Sequence, residues 1–264
     1  MGSPSPSLSL YLVLFSLLLT KQISAVTYSN ISIGTILTPL NQSSWPSPLG
    51  DFAFGFLPLE TNSSSFLLSV WFNKIGNKTV VWTANGDNPV TDGSKVELTS
   101  DGKLSLRDAT GQEIWNPGVS NVSHAAMLDS GNFVLSTPQS ALIWQSFDDP
   151  TDTILPRQVL REGSQLYARL MPTDYSRGRF ELALQNDGNL VLYPIGFPTA
   201  TRYDKYWWTG TSGSGVRLVY NESGSIYLSF QNDSDFSITS STVSEGDFYH
   251  RATLDPDGIF RYVL

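Results

Sequence analysis

Helical periodicity is nearly absent after the first 25 residues. Apolar side chains instead recur on alternate positions in short runs, FLLSVWF (66–72), TVVWTA (79–84), KLSLRD (103–108), NFVLST (132–137), FELALQ (180–185), IYLSF (226–230) and FSITS (236–240). Clusters of Gly, Asn, Asp and Pro separate them. A period of two, broken by turn formers, predicts antiparallel hairpins, so the expected fold class is all-β.

A turn followed by a strand repeats along the chain, as SDGKLSL (100–106), DSGNFVL (129–135), NDGNLVL (186–192) and PDGIFRY (256–262). Trp82, Trp115 and Trp144 recur at intervals of roughly 30 residues, a spacing that suggests one supersecondary unit repeated about a shared core. These tryptophans are expected inside. Between the blocks, IWQSFDDPTDTILPRQVL (143–160) carries Pro150 and Pro156, which interrupt strand pairing. A boundary is placed there, giving two β domains over 26–153 and 154–264. Before them, Leu8–Leu19 is an apolar run too short for an ordinary membrane span, and Ser24-Ala25 offers a small-residue cleavage site. Residues 1–25 thus read as a secretory signal peptide, although MGSPSPS carries none of the usual basic residues.

The segment LQNDGNLVLY (184–193) concentrates polar groups around one turn. If RFELALQ and NLVLYP pair about Asn186–Gly188, Leu182, Leu184, Leu190 and Leu192 share the core face. Gln185, Asn189, Val191 and Tyr193 point the other way, with Asp187 beside them. Amide, carboxylate and phenol around a small apolar residue suit the vicinal hydroxyls of a pyranose. They also suit the ordinary outer face of a hairpin, and the pattern alone leaves both readings open.

Composition narrows the chemistry. The 264 residues carry a net charge of −8 with no basic cluster, which argues against a nucleic-acid partner. Seven Asn-x-Ser/Thr triplets, at Asn30, Asn41, Asn62, Asn77, Asn121, Asn221 and Asn232, fit glycosylation of an exported chain. There is no cysteine, so stability must come from core burial. His124 and His250, the two histidines, read as surface or hairpin residues and leave little for a zinc site or a nucleophilic dyad. Asp148, Asp149 and Asp152 contain the raw material for a glycosidase carboxylate pair, but beside Pro150 they are read as turn formers. No phosphate loop or kinase signature is present. No enzyme activity, cofactor or metal site is expected.

QNDGNLVLY reproduces the Gln-x-Asp-x-Asn-x-Val-x-Tyr motif of bulb-type, mannose-binding lectins. GDFAFGF (50–56), VVWTANGDNPV (80–90), LDSGNFVL (128–135), IWQSFDDPTDTILP (143–156) and RATLDPDGIFR (251–261) resemble the paired lectin domains of plant S-domain (G-type lectin) receptor-like kinases. The resemblance implies tandem β-prism II domains, each of three antiparallel sheets with pseudo-threefold symmetry. It also implies a sugar site in which Gln185, Asp187, Asn189 and Tyr193 bond hydroxyls and Val191 packs against the ring. Other copies depart from the motif. SDGKLSLR offers Thr99, Asp101, Lys103, Ser105 and Arg107; LDSGNFVLS offers Leu128, Ser130, Asn132, Val134 and Ser136; QNDSDFSIT offers Gln231, Asp233, Asp235, Ser237 and Thr239; PDGIFR keeps Asp257.

The family continues into cysteine-rich modules, a membrane span and a kinase, whereas this sequence stops at Leu264. The expected function is that of a secreted lectin-like glycoprotein of the cell wall or apoplast, resembling a truncated receptor ectodomain and binding mannose-containing glycans. Homo-oligomers or a receptor kinase are expected partners. The alternative is a protein-recognition module or receptor decoy that has kept the fold and lost sugar binding. Inherited kinase-linked receptor activity is the third reading, against which the missing kinase segment argues.

Overall fold

Alternation at this density can bury one face of each strand only if several small sheets share a core, and the chain does this twice. The computed structural model describes residues 30–41, 44–196, 199–239 and 248–264. All strand pairing among them is antiparallel, and the helical elements are two short 3₁₀ turns, Pro39–Asn41 and Ser146–Asp148.

Three sheets surround the first core. One runs Ser44–Pro46, Phe52–Leu59, Asn62–Phe72 and Val80–Thr83, with Val90–Thr91 also against Asn62–Phe72. The second orders Glu113–Trp115, Leu104–Arg107, Lys95–Leu98 and Ile36–Leu37; the third orders Ile31–Ser32, His124–Met127, Phe133–Ser136 and Leu142–Gln145. Inside, Trp45, Phe54 and Phe133 stack, the two phenylalanine rings 3.9 Å apart. Trp82, Trp115 and Trp144 form a closed triangle of edge-to-face contacts, with centroids 5.7, 5.8 and 5.9 Å apart. This is the expected core role for the recurrent tryptophans, and one indole from each sheet expresses the threefold repeat. Each such pair contributes about 0.5–1.5 kcal/mol beyond its burial.

Three further sheets enclose a second core. They are built from Thr153–Ile154, Arg251–Leu254 and Phe260–Val263; from Val159–Arg161, Arg217–Tyr220, Ile226–Ser229 and Asp235–Ser237; and from Gln165–Met171, Asp174–Leu184, Leu190–Pro194 and Trp207–Trp208. Leucines and isoleucines fill this core where the first uses aromatic rings. The architecture is therefore two β-prisms in tandem. Adjacent residues face different cores at the seam, Ile154 entering the second and Leu155 the first. Tyr249 crosses back from the far end of the chain, its ring 4.7 Å from Phe72 and its hydroxyl 2.7 Å from Asp51.

The repeated turn has one hydrogen-bond pattern. The N–H groups of Gly102, Gly131, Gly188 and Gly258 donate to the carbonyls of Thr99, Leu128, Gln185 and Asp255, and each of those four residues donates to the residue after its glycine. The pattern is a three-residue hairpin loop closed by a left-handed residue. At Gly188, with φ of +80°, a Cβ would also come within 2.7 Å of Val216 and 2.9 Å of the Gly213 backbone, so glycine is required twice over. In QNDSDFSIT the glycine's place is taken by Asp233 at φ 60°, a residue type that tolerates this conformation. The turn therefore aligns Phe230, Asn232 and Ser234 with Gln185, Asp187 and Asn189, correcting by one residue the expected alignment of Gln231, Asp233 and Asp235.

Candidate carbohydrate site

The hairpin of Asp174–Leu184 and Leu190–Pro194 has the register expected from its pattern. Leu182 lies opposite Leu192 and Leu184 opposite Leu190, and all four leucines enter the second core. On the other face Ala183 pairs with Val191 and Glu181 with Tyr193.

The turn draws the polar residues together. Gln185 Nε2 donates to the Tyr193 hydroxyl at 2.8 Å, and the Asn189 N–H donates to Asp187 Oδ1 at 3.1 Å. Asn189 Oδ1 accepts from Thr209 Oγ1 at 3.0 Å and from the Gly210 N–H at 3.1 Å. Thr209 in turn accepts from the Leu190 N–H at 3.1 Å, and the Thr211 hydroxyl donates to the Gly188 carbonyl at 2.7 Å. The amide oxygen of Asn189 thus anchors the chain arriving from Trp207–Trp208. Its Nδ2 makes no hydrogen bond to a described residue and is not sealed from solvent.

This face is less open than the pattern implies. Asn189 is 8% exposed and Val191 is fully buried. The strand Trp207–Trp208 pairs with Val191 and Leu192, placing Val191 between Ala183 and Trp208. Val191, expected to pack against a sugar ring, is covered by the strands on both sides and offers no exposed surface to a ring. It lies beneath the site, while Asp187 stands exposed and Gln185 and Tyr193 are half-buried at the rim. Arg202 braces the rim. It bonds the buried Glu181 through two nitrogens, Nε to Oε2 at 3.1 Å, and its guanidinium carbon lies 5.1 Å from the Tyr193 ring centroid. The bond to Glu181 raises the Arg202 guanidinium above its already high ordinary value.

The degraded copies show what happens when these groups are satisfied internally. Asn132 repeats the anchor, its Oδ1 accepting from Ser146 Oγ and the Phe147 N–H, both at 3.2 Å, but its Nδ2 is also used, on Gln145 at 2.8 Å. Lys103 lies 3.1 Å from Asp101, and Arg261 lies 2.7 Å from Asp257, whose carboxyl its hydrogen bonds hold down at about 2. Ser105 donates to Glu113 at 2.6 Å. Among the described residues, Asp187 has no cationic partner. The Gln185–Tyr193 group keeps an amide oxygen and a carboxylate oxygen as acceptors, and an amide N–H and a phenolic hydrogen as donors.

The other chemistry-bearing residues have structural roles. Asp152 is buried, accepting from Thr153 at 2.8 Å and pairing with Arg169 at 2.7 Å; the Asp149 carbonyl accepts from Trp82 Nε1 at 2.7 Å. His124 is half-buried in its hairpin, its Nδ1 2.8 Å from Ser123 Oγ. His250 is buried against the Tyr262 hydroxyl and is not a surface residue. No group of three or more metal-binding side chains gathers among the described residues. Asn30, Asn62, Asn77, Asn121 and Asn232 are exposed and Asn221 is half-exposed; the Asn41 side chain lies outside the described residues. The apolar run Leu8–Leu19 also lies outside them. No described helix is long and apolar enough to cross a membrane.

The family model described as D-mannose binding lectin matches residues 79–173, a stretch that spans the seam and ends before the motif hairpin. The G-type lectin S-receptor-like serine/threonine-protein kinase LECRK2 of Oryza sativa subsp. japonica is 53% identical over 269 residues, covering 97% of this chain and 33% of that protein. The chain belongs to the bulb-type lectin family. It spans about a third of the length of the curated relatives it matches; RLK1 of Arabidopsis thaliana, also a G-type lectin S-receptor-like kinase, is 40% identical over 89% of this chain and 31% of its own length. A solved mannose-specific lectin from Dutch crocus is also similar, at 21% identity and a TM-score of 0.34 over 43% of this chain and 88% of that one. Within this bulb-type lectin chain, the hairpin at Gln185–Tyr193 is the copy whose five motif residues are all present.

Proposed function

We propose that the chain is an exported, glycosylated lectin-like protein that binds mannose-type carbohydrate through Gln185, Asp187, Asn189 and Tyr193 above Val191, in the second of two domains spanning 26–153 and 154–264. The reading rests above all on the unspent Nδ2 of Asn189. Its counterpart at Asn132 uses both ends of the amide within the protein, while Asn189 uses only the oxygen. A sugar hydroxyl accepting from that Nδ2 and donating to the Asp187 carboxylate completes both, and the neighbouring hydroxyl can donate to Gln185 Oε1 and accept from the Tyr193 O–H, the two groups their mutual hydrogen bond leaves unused. Hydrogen bonds worth about 0.5–1.5 kcal/mol net each must offset the cost of immobilising the ligand, so a single site binds weakly, with Kd near about 1 mM. Clustered glycans or a homo-oligomer then supply avidity. Relatives named as receptor-like kinases make a kinase-bearing partner, or a longer chain with such a domain, the natural context.

A glycan-array screen of the secreted chain against its Asp187→Ala variant tests this reading. Retention of mannose-terminated glycans by wild type, lost in the variant, supports it. No retention of any glycan favours the protein-recognition alternative.

A further inference from the structure

Beside the candidate sugar site lies an aromatic side chain that the motif does not include. Trp208 pairs with Val191 and therefore stands on the same face of the sheet as that residue, whereas Trp207 pairs with Leu192 and takes the opposite face. Trp208 is 49% exposed. Its indole stands beside Gly210, whose N–H donates to Asn189 Oδ1: a methyl group built on that glycine would lie 3.9 Å from the indole Nε1. That Nε1 makes no hydrogen bond among the described residues. Lys205 Nζ lies over one face of the Trp208 ring, 4.6 Å from its centre, and has no carboxylate partner among the described residues, so a pyranose takes the opposite face or displaces this long side chain to the ring edge.

We infer that Trp208 and Lys205 form a second saccharide subsite, so that the preferred ligand is an oligosaccharide whose second pyranose lies on the exposed part of the indole. The inference rests on reading the Gln185–Tyr193 hairpin as the first sugar site. A pyranose presents a face of C–H groups that are weakly positive, matching the negative face of an indole. Its edge carries hydroxyls, for which the Trp208 Nε1–H and the Lys205 ammonium are both donors. An exposed indole with an unpaired N–H, one strand from the motif, supplies both the plate and the polar handle that a second ring needs. Tyr206 lies in the same segment but spends its hydroxyl on the Gly258 carbonyl.

Titrating the full chain with methyl α-mannoside and with an α-linked mannobiose, followed by NMR, tests the subsite. Wild type should bind the disaccharide about fivefold more tightly than the monosaccharide, the size of effect that one aromatic contact supplies. The Trp208 indole N–H signal should move with the disaccharide and much less with the monosaccharide. In Trp208→Ala the affinity ratio should fall to about one, and Trp208→Phe should restore part of it because a smaller plate remains. Thermal melts of both variants confirm that each is folded. A ratio of one in wild type, or a ratio unchanged in Trp208→Ala, overturns the subsite while leaving the first site standing. Absence of Tyr193 ring shifts with either sugar overturns the first site and the subsite together.

Discussion

Thr209 donates its hydroxyl to the Asn189 side-chain oxygen at 3.0 Å, across a sequence separation of 20 residues. The contact makes Asn189 a structural residue at its carbonyl end, while its amide end has no hydrogen-bond partner among the described residues. Asn189→Leu therefore removes the acceptor for both Thr209 and the Gly210 N–H, and should destabilise the fold by about 1–3 kcal/mol. Asn189→Asp keeps the acceptor and removes the Nδ2 donor. Urea denaturation should show the larger loss for leucine, while both variants lose sugar binding.

Leu190 is buried opposite Leu184 in the second core. Leu190→Ala should cost about 2–5 kcal/mol through lost burial and the cavity left behind. A loss below about 0.5 kcal/mol in chemical denaturation would mean that the leucine face of the hairpin is not the one that holds this prism together.

Two phenols link stability to alkaline pH. Burial, with the charge of Asp257, pushes Tyr206 up to about 12, and burial with the hydrogen bond and charge of Asp51 pushes Tyr249 up to about 12. Unfolded tyrosines ionise near about 10, so between these values the folded chain holds more protons than the unfolded one. Their contribution is complete below about pH 10 and lost as pH rises towards about 12. Melting temperatures measured from pH 9 to pH 12 should fall less steeply for the Tyr206→Phe, Tyr249→Phe double variant than for wild type.

Exposed acceptor triplets at Asn30, Asn62, Asn77, Asn121 and Asn232 present their side chains to solvent. Expressed in a plant secretory system, the chain should begin near Val26 and lose mass with an N-glycosidase. A retained leader with no mass change would contradict the proposed export.

Local pattern carried much of the fold. Period-two alternation placed the hairpins, and the leucine face of 182–192 was legible because both strands and their turn lie within a dozen residues. The tryptophan triangle was legible as core because its members recur at one spacing. What the pattern did not show came from distant pairing. Trp207–Trp208 is too short to display a period, yet by joining Leu190–Pro194 it buries Val191 and lets Thr209 reach Asn189. The Arg202–Glu181 brace spans 21 residues, and the burial of His250 depends on Tyr262 in the neighbouring strand; no local signal marks either. Five motif residues in order were readable in the sequence, but the division of Asn189 into an anchoring end and a free end was not.

The most direct measurement is titration of mannose into the isotopically labelled chain, watching the Tyr193 ring and the Asn189 side-chain amide by NMR. The account predicts saturable shifts of both, with Kd near about 1 mM, and loss of the shifts in Asp187→Ala. If neither signal moves at tens of millimolar sugar, well above that expected Kd, the hairpin is not a mannose site.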